Sequence, residues 1–137
     1  MAKIYLAGTF RNMQHKQFLE QLQTRLKRKF IVYSPHLDVG ILNIDTKLSP
    51  AEIVEKDLRL IDDCDIFLAV LDSTTYAPNT LIEMGVAFER GKKIIVYNTN
   101  VDKSRIPSIF LEYLATKIVF SEEELLGVLE DYANKVS

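Results

Sequence analysis

The chain has 137 residues, of which 47% are hydrophobic and 26% charged, and this is the size and composition of an ordinary globular domain. Its 17 basic and 19 acidic side chains leave a net charge of −2, which argues against a nucleic-acid polymer or a membrane surface as partner. Cys64 is the only cysteine, the amino terminus lacks a signal-peptide pattern, and the longest apolar run is too short to cross a bilayer. We therefore expect one cytoplasmic domain over residues 1–137.

Strand and helix patterns alternate along the chain. Five strands are predicted, at residues 3–7, 30–34, 66–71, 93–97 and 117–120. Helices are predicted at residues 12–27, 49–63, 79–90 and 107–114 and from 121 onwards, and a loop at 35–48. This alternation predicts an α/β fold, a doubly wound five-stranded parallel sheet of the flavodoxin-like (Rossmann-like) type. The wholly apolar stretch 66–71 is its predicted central strand.

In such a sheet, ligands bind beyond the carboxyl ends of the strands. The segments to search are therefore 7–12, 35–48, 72–80 and 98–108. The first of these contains Gly8-Thr9-Phe10-Arg11, a strand-to-helix turn whose N–H groups can bind phosphate or sugar oxygens. Arg11 either pairs with a phosphate or faces solvent. His15 and His36 belong to no metal-ligand pattern and His36 is expected at the surface, so we predict neither a metal nor a cofactor.

Asp57 is a charged residue on the apolar side of its predicted helix. On a helical wheel it lies within an arc of apolar side chains, Ile53, Val54, Leu58 and Ile61. The other five charged residues between Ile53 and the end of this helix lie on the opposite side. A core-facing carboxylate is unfavourable unless it is paired or protonated. Asp57 is therefore either a functional acid or a partner in a structural hydrogen bond between helices.

Glu83 is the only charged residue between positions 79 and 88, in a helix that is otherwise apolar enough to be buried. Thr80 and Glu83 also have the spacing of a capping box, which leaves a purely local role open. Both Glu83 and Asp57 are predicted on helices beside the central strand. Two carboxylates in one desolvated cleft are the groups that glycosyl transfer needs.

Three stretches of the chain resemble a known family, the nucleoside 2-deoxyribosyltransferases and the related 2'-deoxynucleoside 5'-monophosphate N-glycosidases. The stretches are KIYLAGTF, KDLRLIDDCDIFLAVLD and NTLIEMGVAFERGKKIIVY, and the resemblance covers most of residues 3–98. It implies that Glu83 is the nucleophile that forms a covalent deoxyribosyl intermediate and that Asp57 is the acid and base. It also implies that the Tyr5 hydroxyl orients the nucleophile, although Tyr5 can equally be an ordinary strand aromatic.

The resemblance implies a 2'-deoxynucleoside or 2'-deoxynucleotide and a free nucleobase as partners. Transfer of the sugar to a second base is the favoured reaction, and hydrolysis of a 5'-monophosphate is the alternative. A homo-oligomer with shared active sites is implied, in which residues 107–110, including Phe110, reach a neighbour's site. Ser108 lies where the monophosphate glycosidases have a phosphate-binding serine.

The chain departs from the family at an Asp-x-Gly-Thr stretch that many transferases carry before the glutamate. The corresponding residues here are Ala77, Pro78, Asn79 and Thr80, so that Asn79 replaces the glycine. Asp72, at the end of the central strand, can take the place of the missing aspartate.

Two non-enzymatic modules share the predicted fold. A phospho-receiver requires acidic residues at the end of the first strand, where this chain has Ala7 and Gly8. A flavodoxin requires a hydroxyl-rich phosphate loop, and the segment 8–12 contains a single hydroxyl. Since a fold by itself implies no function, the site residues must decide.

Overall fold

Five parallel strands form one sheet in the order β2-β1-β3-β4-β5 in the computed structural model. The structure describes residues 1–8, 13–39, 48–72, 78–99 and 109–136. The strands are β1 Lys3–Gly8, β2 Ile31–Tyr33, β3 Ile66–Leu71, β4 Lys93–Asn98 and β5 Lys117–Val119. This order places β3 at the centre and confirms the predicted doubly wound fold.

Six helices connect or flank these strands in the described part of the chain. They are α1 Met13–Leu26, α2 Pro35–Val39, α3 Pro50–Asp63, α4 Pro78–Glu89, α5 Ile109–Leu114 and α6 Glu122–Val136. The helix α3 begins at the predicted capping box, in which Ser49 accepts from the Glu52 N–H and the Glu52 carboxylate accepts from the Ser49 N–H. The loop predicted at 35–48 is wrong for its first five residues, which form α2. A helix of little more than one turn is too short to show a hydrophobic period.

The two faces of the sheet are covered by different helices, because alternate strand residues point to opposite sides. Ile4, Leu6 and Leu68 point toward α1 and α6 and belong to one buried cluster. Tyr5 and Phe67 point the other way and pack in a second cluster with side chains of α3, α4 and α5. The strand β3 is buried along its whole length, as a central parallel strand should be.

The helices α3, α4 and α5 cover the face of the sheet that carries the second cluster, and we call them the second helical layer. This layer is more exposed than its sequence predicts. Val54 of α3 is 54% exposed although the helical wheel placed it in the apolar arc, and Ile82 of α4 is 67% exposed. Leu81 and Phe88 are also exposed, so the prediction that α4 is buried nearly all round is wrong. Within the described residues these helices are covered on their sheet-facing side alone, and their apolar residues extend around to the outer side.

Cys64 closes α3 and lies in the second cluster, 2% exposed. Its thiol donates to the carbonyl oxygen of Ile61 at 3.1 Å. Burial raises the pKa of this thiol to about 11.

Among the described helices none combines the length and the hydropathy that a bilayer span requires.

Candidate active site

Tyr5 projects from the middle of β1 toward α3 and α4. Its ring is fully buried and stacks on Phe67 of the neighbouring strand, with 5.3 Å between ring centres and 13° between the planes. The hydroxyl donates a hydrogen bond to Oε2 of Glu83. Burial, followed by the charge of Glu83, raises the pKa of Tyr5 far above its usual range, so the phenol keeps its proton and acts as a donor.

Glu83 lies in the second turn of α4 and points back to the sheet, with 12% of its side chain exposed. Oε2 accepts from Tyr5, and Oε1 lies 2.7 Å from Nε2 of His36. The alternative of a capping box is wrong, because the helix already begins at Pro78 and the buried Thr80 hydroxyl has no hydrogen-bond partner among the described residues. The carboxylate of Glu83 is therefore held by tertiary contacts.

His36 belongs to α2, directly after β2, and its side chain is 18% exposed. The expectation of a surface position is therefore wrong. Burial lowers the pKa of His36, but the hydrogen bond to Glu83, the charges of Glu83 and Asp57 and a hydrogen bond to the backbone of Gly8 together outweigh it. The net result is a pKa above the ordinary value, which favours the imidazolium.

Asp57 occupies the sheet-facing side of α3, one helical turn from each of the buried residues Ile53 and Ile61. Its Oδ1 is buried and has no hydrogen-bond partner among the described residues, so the structural alternative of a bond between helices finds no support for that atom. Burial, followed by the charge of Glu83, raises the pKa of Asp57 to about 6, while His36 and Lys56 act in the opposite direction. A carboxyl group with this pKa can both donate and accept a proton near neutral pH.

A ring nitrogen of His36, one carboxylate oxygen of Asp57 and one of Glu83 lie within 4.8 Å of one another. These are donor types that zinc accepts. However, the contact of 2.7 Å between His36 and Glu83 is a hydrogen-bond distance with a proton between the two atoms, and an ion would have to displace that proton. We therefore interpret the cluster as a proton-sharing site, and the expectation that it needs no metal stays a prediction.

Four of the other predicted binding residues fall in the described part of the chain. Gly8 ends β1, and a Cβ placed there would lie 3.1 Å from Cδ2 of Leu19, so this glycine allows a close approach of α1 to the strand. Asp72 is half-buried directly after β3, and Asn79 is exposed at the start of α4. Phe110, in α5, is 74% exposed. The other predicted residues, Thr9, Phe10, Arg11, Pro107 and Ser108, fall outside the described residues.

A family model described as nucleoside 2-deoxyribosyltransferase like matches residues 1–101, which include the whole cluster. The chain belongs to the nucleoside 2-deoxyribosyltransferase-like family. This membership confirms the resemblance seen in the three sequence stretches. Proteins of the nucleoside 2-deoxyribosyltransferase-like family are glycosyl transferases or N-hydrolases that process nucleosides or nucleotides.

Several individual proteins are similar to this family member. A protein of Thermofilum pendens, named as a 2'-deoxynucleoside 5'-phosphate N-hydrolase, is 27% identical over 104 residues, which are 68% of this chain and 65% of the relative. A CMP N-glycosidase of Clostridium botulinum is 27% identical, with a TM-score of 0.65 over 95% of this chain and 98% of the other. A 2-deoxyribosyltransferase of Bacillus psychrosaccharolyticus has a TM-score of 0.77 over 90% of each chain, but at 18% identity this likeness establishes the fold alone.

Proposed function

We propose that this protein cleaves the N-glycosidic bond of a 2'-deoxynucleoside or its 5'-monophosphate through a covalent intermediate on Glu83. The observation that carries the proposal is that two carboxyl groups lie close together in different surroundings. Glu83 is held by donors from two other elements, whereas Asp57 has a raised pKa and a buried oxygen that no described residue donates to. Environments that separate the properties of two acids in this way define a nucleophile and a proton donor.

The first chemical step moves one electron pair and one proton. An oxygen of Glu83 attacks C1' of the sugar, the bond from C1' to the base nitrogen breaks, and Asp57 gives its proton to the departing base. An acceptor then attacks C1', Asp57 takes the acceptor's proton, and Glu83 leaves as a carboxylate. The lack of a 2'-hydroxyl makes the cation-like transition state easier to reach, so two carboxyl groups suffice.

The spacing of the carboxyl groups supports this double displacement. One oxygen of each group lies within 4.8 Å of an oxygen of the other, which places the two acids side by side. Glycosidases with a covalent intermediate also hold their two acids close together, at about 5–5.5 Å. A single displacement by water needs about 6.5–9.5 Å, because the water must fit between the sugar and its base.

The acceptor decides between transfer to a base and hydrolysis. The sequence favoured transfer, but the two relatives with 27% identity are named as a 2'-deoxynucleoside 5'-phosphate N-hydrolase and a CMP N-glycosidase. These names support water as the acceptor and a 5'-monophosphate as the substrate. We therefore place hydrolysis first, with transfer between bases, which the family description supports, as the second candidate. Chromatography after incubation with dGMP or dTMP alone, and with thymidine plus adenine, distinguishes the two.

The variant Glu83→Gln tests the role of the nucleophile. Glutamine keeps the size and the acceptor oxygen of the side chain but cannot attack C1', so we expect a loss of several orders of magnitude in rate with little change in stability. The matched control is Glu89→Gln, an exposed position at the end of the same helix, which should be fully active.

A 2-fluoro-deoxyriboside analogue tests the covalent step directly, because fluorine slows the release of the sugar. Intact-mass analysis should show one deoxyfluororibosyl adduct per chain, and peptide mapping should place it on Glu83. An active Glu83→Gln enzyme, or an adduct on another residue, contradicts the proposal.

We also infer a homo-oligomer from the outer side of the second helical layer. Five apolar side chains of α3, α4 and α5 are more than half exposed there, and we call them the outer apolar face: Val54, Ile82, Ile109, Phe110 and Tyr113. Exposed apolar groups of this kind mark interaction surfaces. The face includes Ile109 and Phe110, which belong to the segment 107–110 that the family resemblance assigns to a neighbour's site, so a second copy is the occupant we propose.

Light scattering tests this assembly. A particle larger than the 15.7 kDa chain is expected, and Ile109→Asp should reduce it to the monomer and reduce activity as well. Ile31→Asp, at an exposed apolar position on the edge strand β2, is the control and should leave the assembly unchanged. A wild-type protein that is monomeric under assay conditions overturns the inference.

The cytoplasmic location predicted from the sequence stays a prediction.

A further inference from the structure

His36 is in contact with the proposed nucleophile and close to the proposed acid, although no sequence motif connected it with either. Nε2 lies 2.7 Å from Oε1 of Glu83. An oxygen of Asp57 lies within 4.8 Å of a ring nitrogen of His36 and of an oxygen of Glu83. The other oxygen of Glu83 is taken by the uncharged phenol of Tyr5. Among the described residues, His36 is therefore the group through which a positive charge can reach both carboxyl groups.

The chemistry of the site needs such a charge in two places. Before attack, the negative charge is on Glu83 and Asp57 carries a proton. After attack, Glu83 is an ester without charge, and the proton given to the base leaves the negative charge on Asp57. The charge thus moves from one carboxyl group to the other while both remain in a largely buried site, where an uncompensated charge is unfavourable.

We propose that His36 is a positioning residue that, as an imidazolium, balances the negative charge on Glu83 before sugar transfer and on Asp57 after it. This inference rests on the function proposed above. A cation within reach of both groups lets the charge move without an intermediate in which either carboxylate is unpaired. The hydrogen bond to Oε1 also fixes the carboxylate of Glu83 together with Tyr5, so that it cannot rotate away from C1'.

The pKa values of His36 and Asp57 depend on each other and on the charged groups around them. Burial lowers the pKa of His36, but Glu83 on α4 and Asp57 on α3 outweigh it, and His36 in turn lowers the pKa of Asp57. Lys56, beside Asp57 in sequence, acts on Asp57 in the same direction as His36. Removing the imidazolium should therefore raise the pKa of Asp57 further and let it hold its proton to higher pH.

The variant His36→Gln separates the charge of this residue from its hydrogen bond, because the glutamine amide can still donate to Glu83. Replacing a charge-assisted hydrogen bond by a neutral one should lower kcat by about tenfold, with a smaller effect on KM. The alkaline limb of kcat/KM, where Asp57 loses its proton, should move to higher pH. His36→Ala, which also loses the hydrogen bond, should lower kcat by about a hundredfold. His15→Gln is the matched control and should leave the pH profile unchanged.

A second measurement does not depend on activity. Side-chain NMR of the two histidines gives the titration of His36 in the wild type, in Glu83→Gln and in Asp57→Asn, and His15→Gln assigns the signals. The midpoint of His36 should fall in both carboxyl variants. If it falls in Glu83→Gln alone, or in neither, or if His36→Gln lowers kcat without moving the alkaline limb, the charge-balancing role is wrong. If both variants move the midpoint but no nucleoside or nucleotide is cleaved, the proposed function fails while the double coupling of His36 stands.

Discussion

Asp57→Asn should stabilise the protein while it removes activity, and the pH dependence of this gain is the most specific expectation from the site. The folded protein raises the pKa of Asp57 from 3.8 to about 6. In this interval the unfolded chain has lost a proton that the folded chain still holds, so the free energy of unfolding falls as pH rises. This decrease in the free energy of unfolding is complete once the pH exceeds the pKa of Asp57 in the folded protein.

The size of the effect follows from the two pKa values, which differ by about 2 pH units. At about 1.4 kcal/mol for each unit, ionised Asp57 destabilises the folded state by about 3 kcal/mol. Because Asp57 is half-buried, water screens part of this penalty, and we expect about 2 kcal/mol. Asparagine carries no charge. The gain in the free energy of unfolding from Asp57→Asn should therefore be near zero at about pH 4 and reach its full value at about pH 8.

Urea denaturation of the wild type and Asp57→Asn across this pH range measures the gain, and initial rates of nucleotide cleavage measure the loss of activity. Glu55→Gln is the control, because this carboxyl group lies on the exposed side of the same helix and its removal should change stability little at any pH. A difference between Asp57→Asn and the wild type that does not change with pH would falsify the assignment of a buried, destabilised acid.

Three further substitutions test single contacts. Tyr5→Phe keeps the stack on Phe67 but leaves one oxygen of Glu83, the proposed nucleophile, without its donor, so kcat should fall by about 10–100-fold. An unchanged kcat contradicts the role of the hydroxyl. Gly8→Ala places a methyl group 3.1 Å from Leu19 in the core, and denaturation should show a loss of about 1 kcal/mol. Ser49→Ala removes a helix cap far from the cluster, and should cost about 1 kcal/mol without changing the rate of cleavage.

The hydrophobic periodicity of the sequence was sufficient to predict those elements in which buried positions repeat at regular intervals along the chain. The apolar run of β3 and the alternation of strands and helices predicted the sheet, and the capping box predicted the start of α3. The helical wheel also placed Asp57 on the inner side, since that position depends on the local helix alone. It was wrong for Val54, because the width of a covered face depends on neighbouring helices that the wheel does not include.

Contacts between distant segments had no such pattern. His36 and Glu83 are 47 positions apart, and a single histidine in a segment without periodicity carries no sign of its partner. The available indication was positional, since His36 follows β2 at the edge of the sheet where ligands bind. The Tyr5 contact with Glu83 spans 78 positions and was expected from the family resemblance, not from any local pattern.

The state of Cys64 has a practical consequence for spectroscopy. A thiol that is 2% exposed and has a pKa of about 11 is almost entirely protonated and inaccessible at the near-neutral pH used for maleimide labelling. A fluorophore or spin label can therefore be attached to one engineered surface cysteine without first removing the native one. If the proposed oligomer forms, labels placed on α5 in this way will report distances between its copies, with the buried packing around Cys64 left intact.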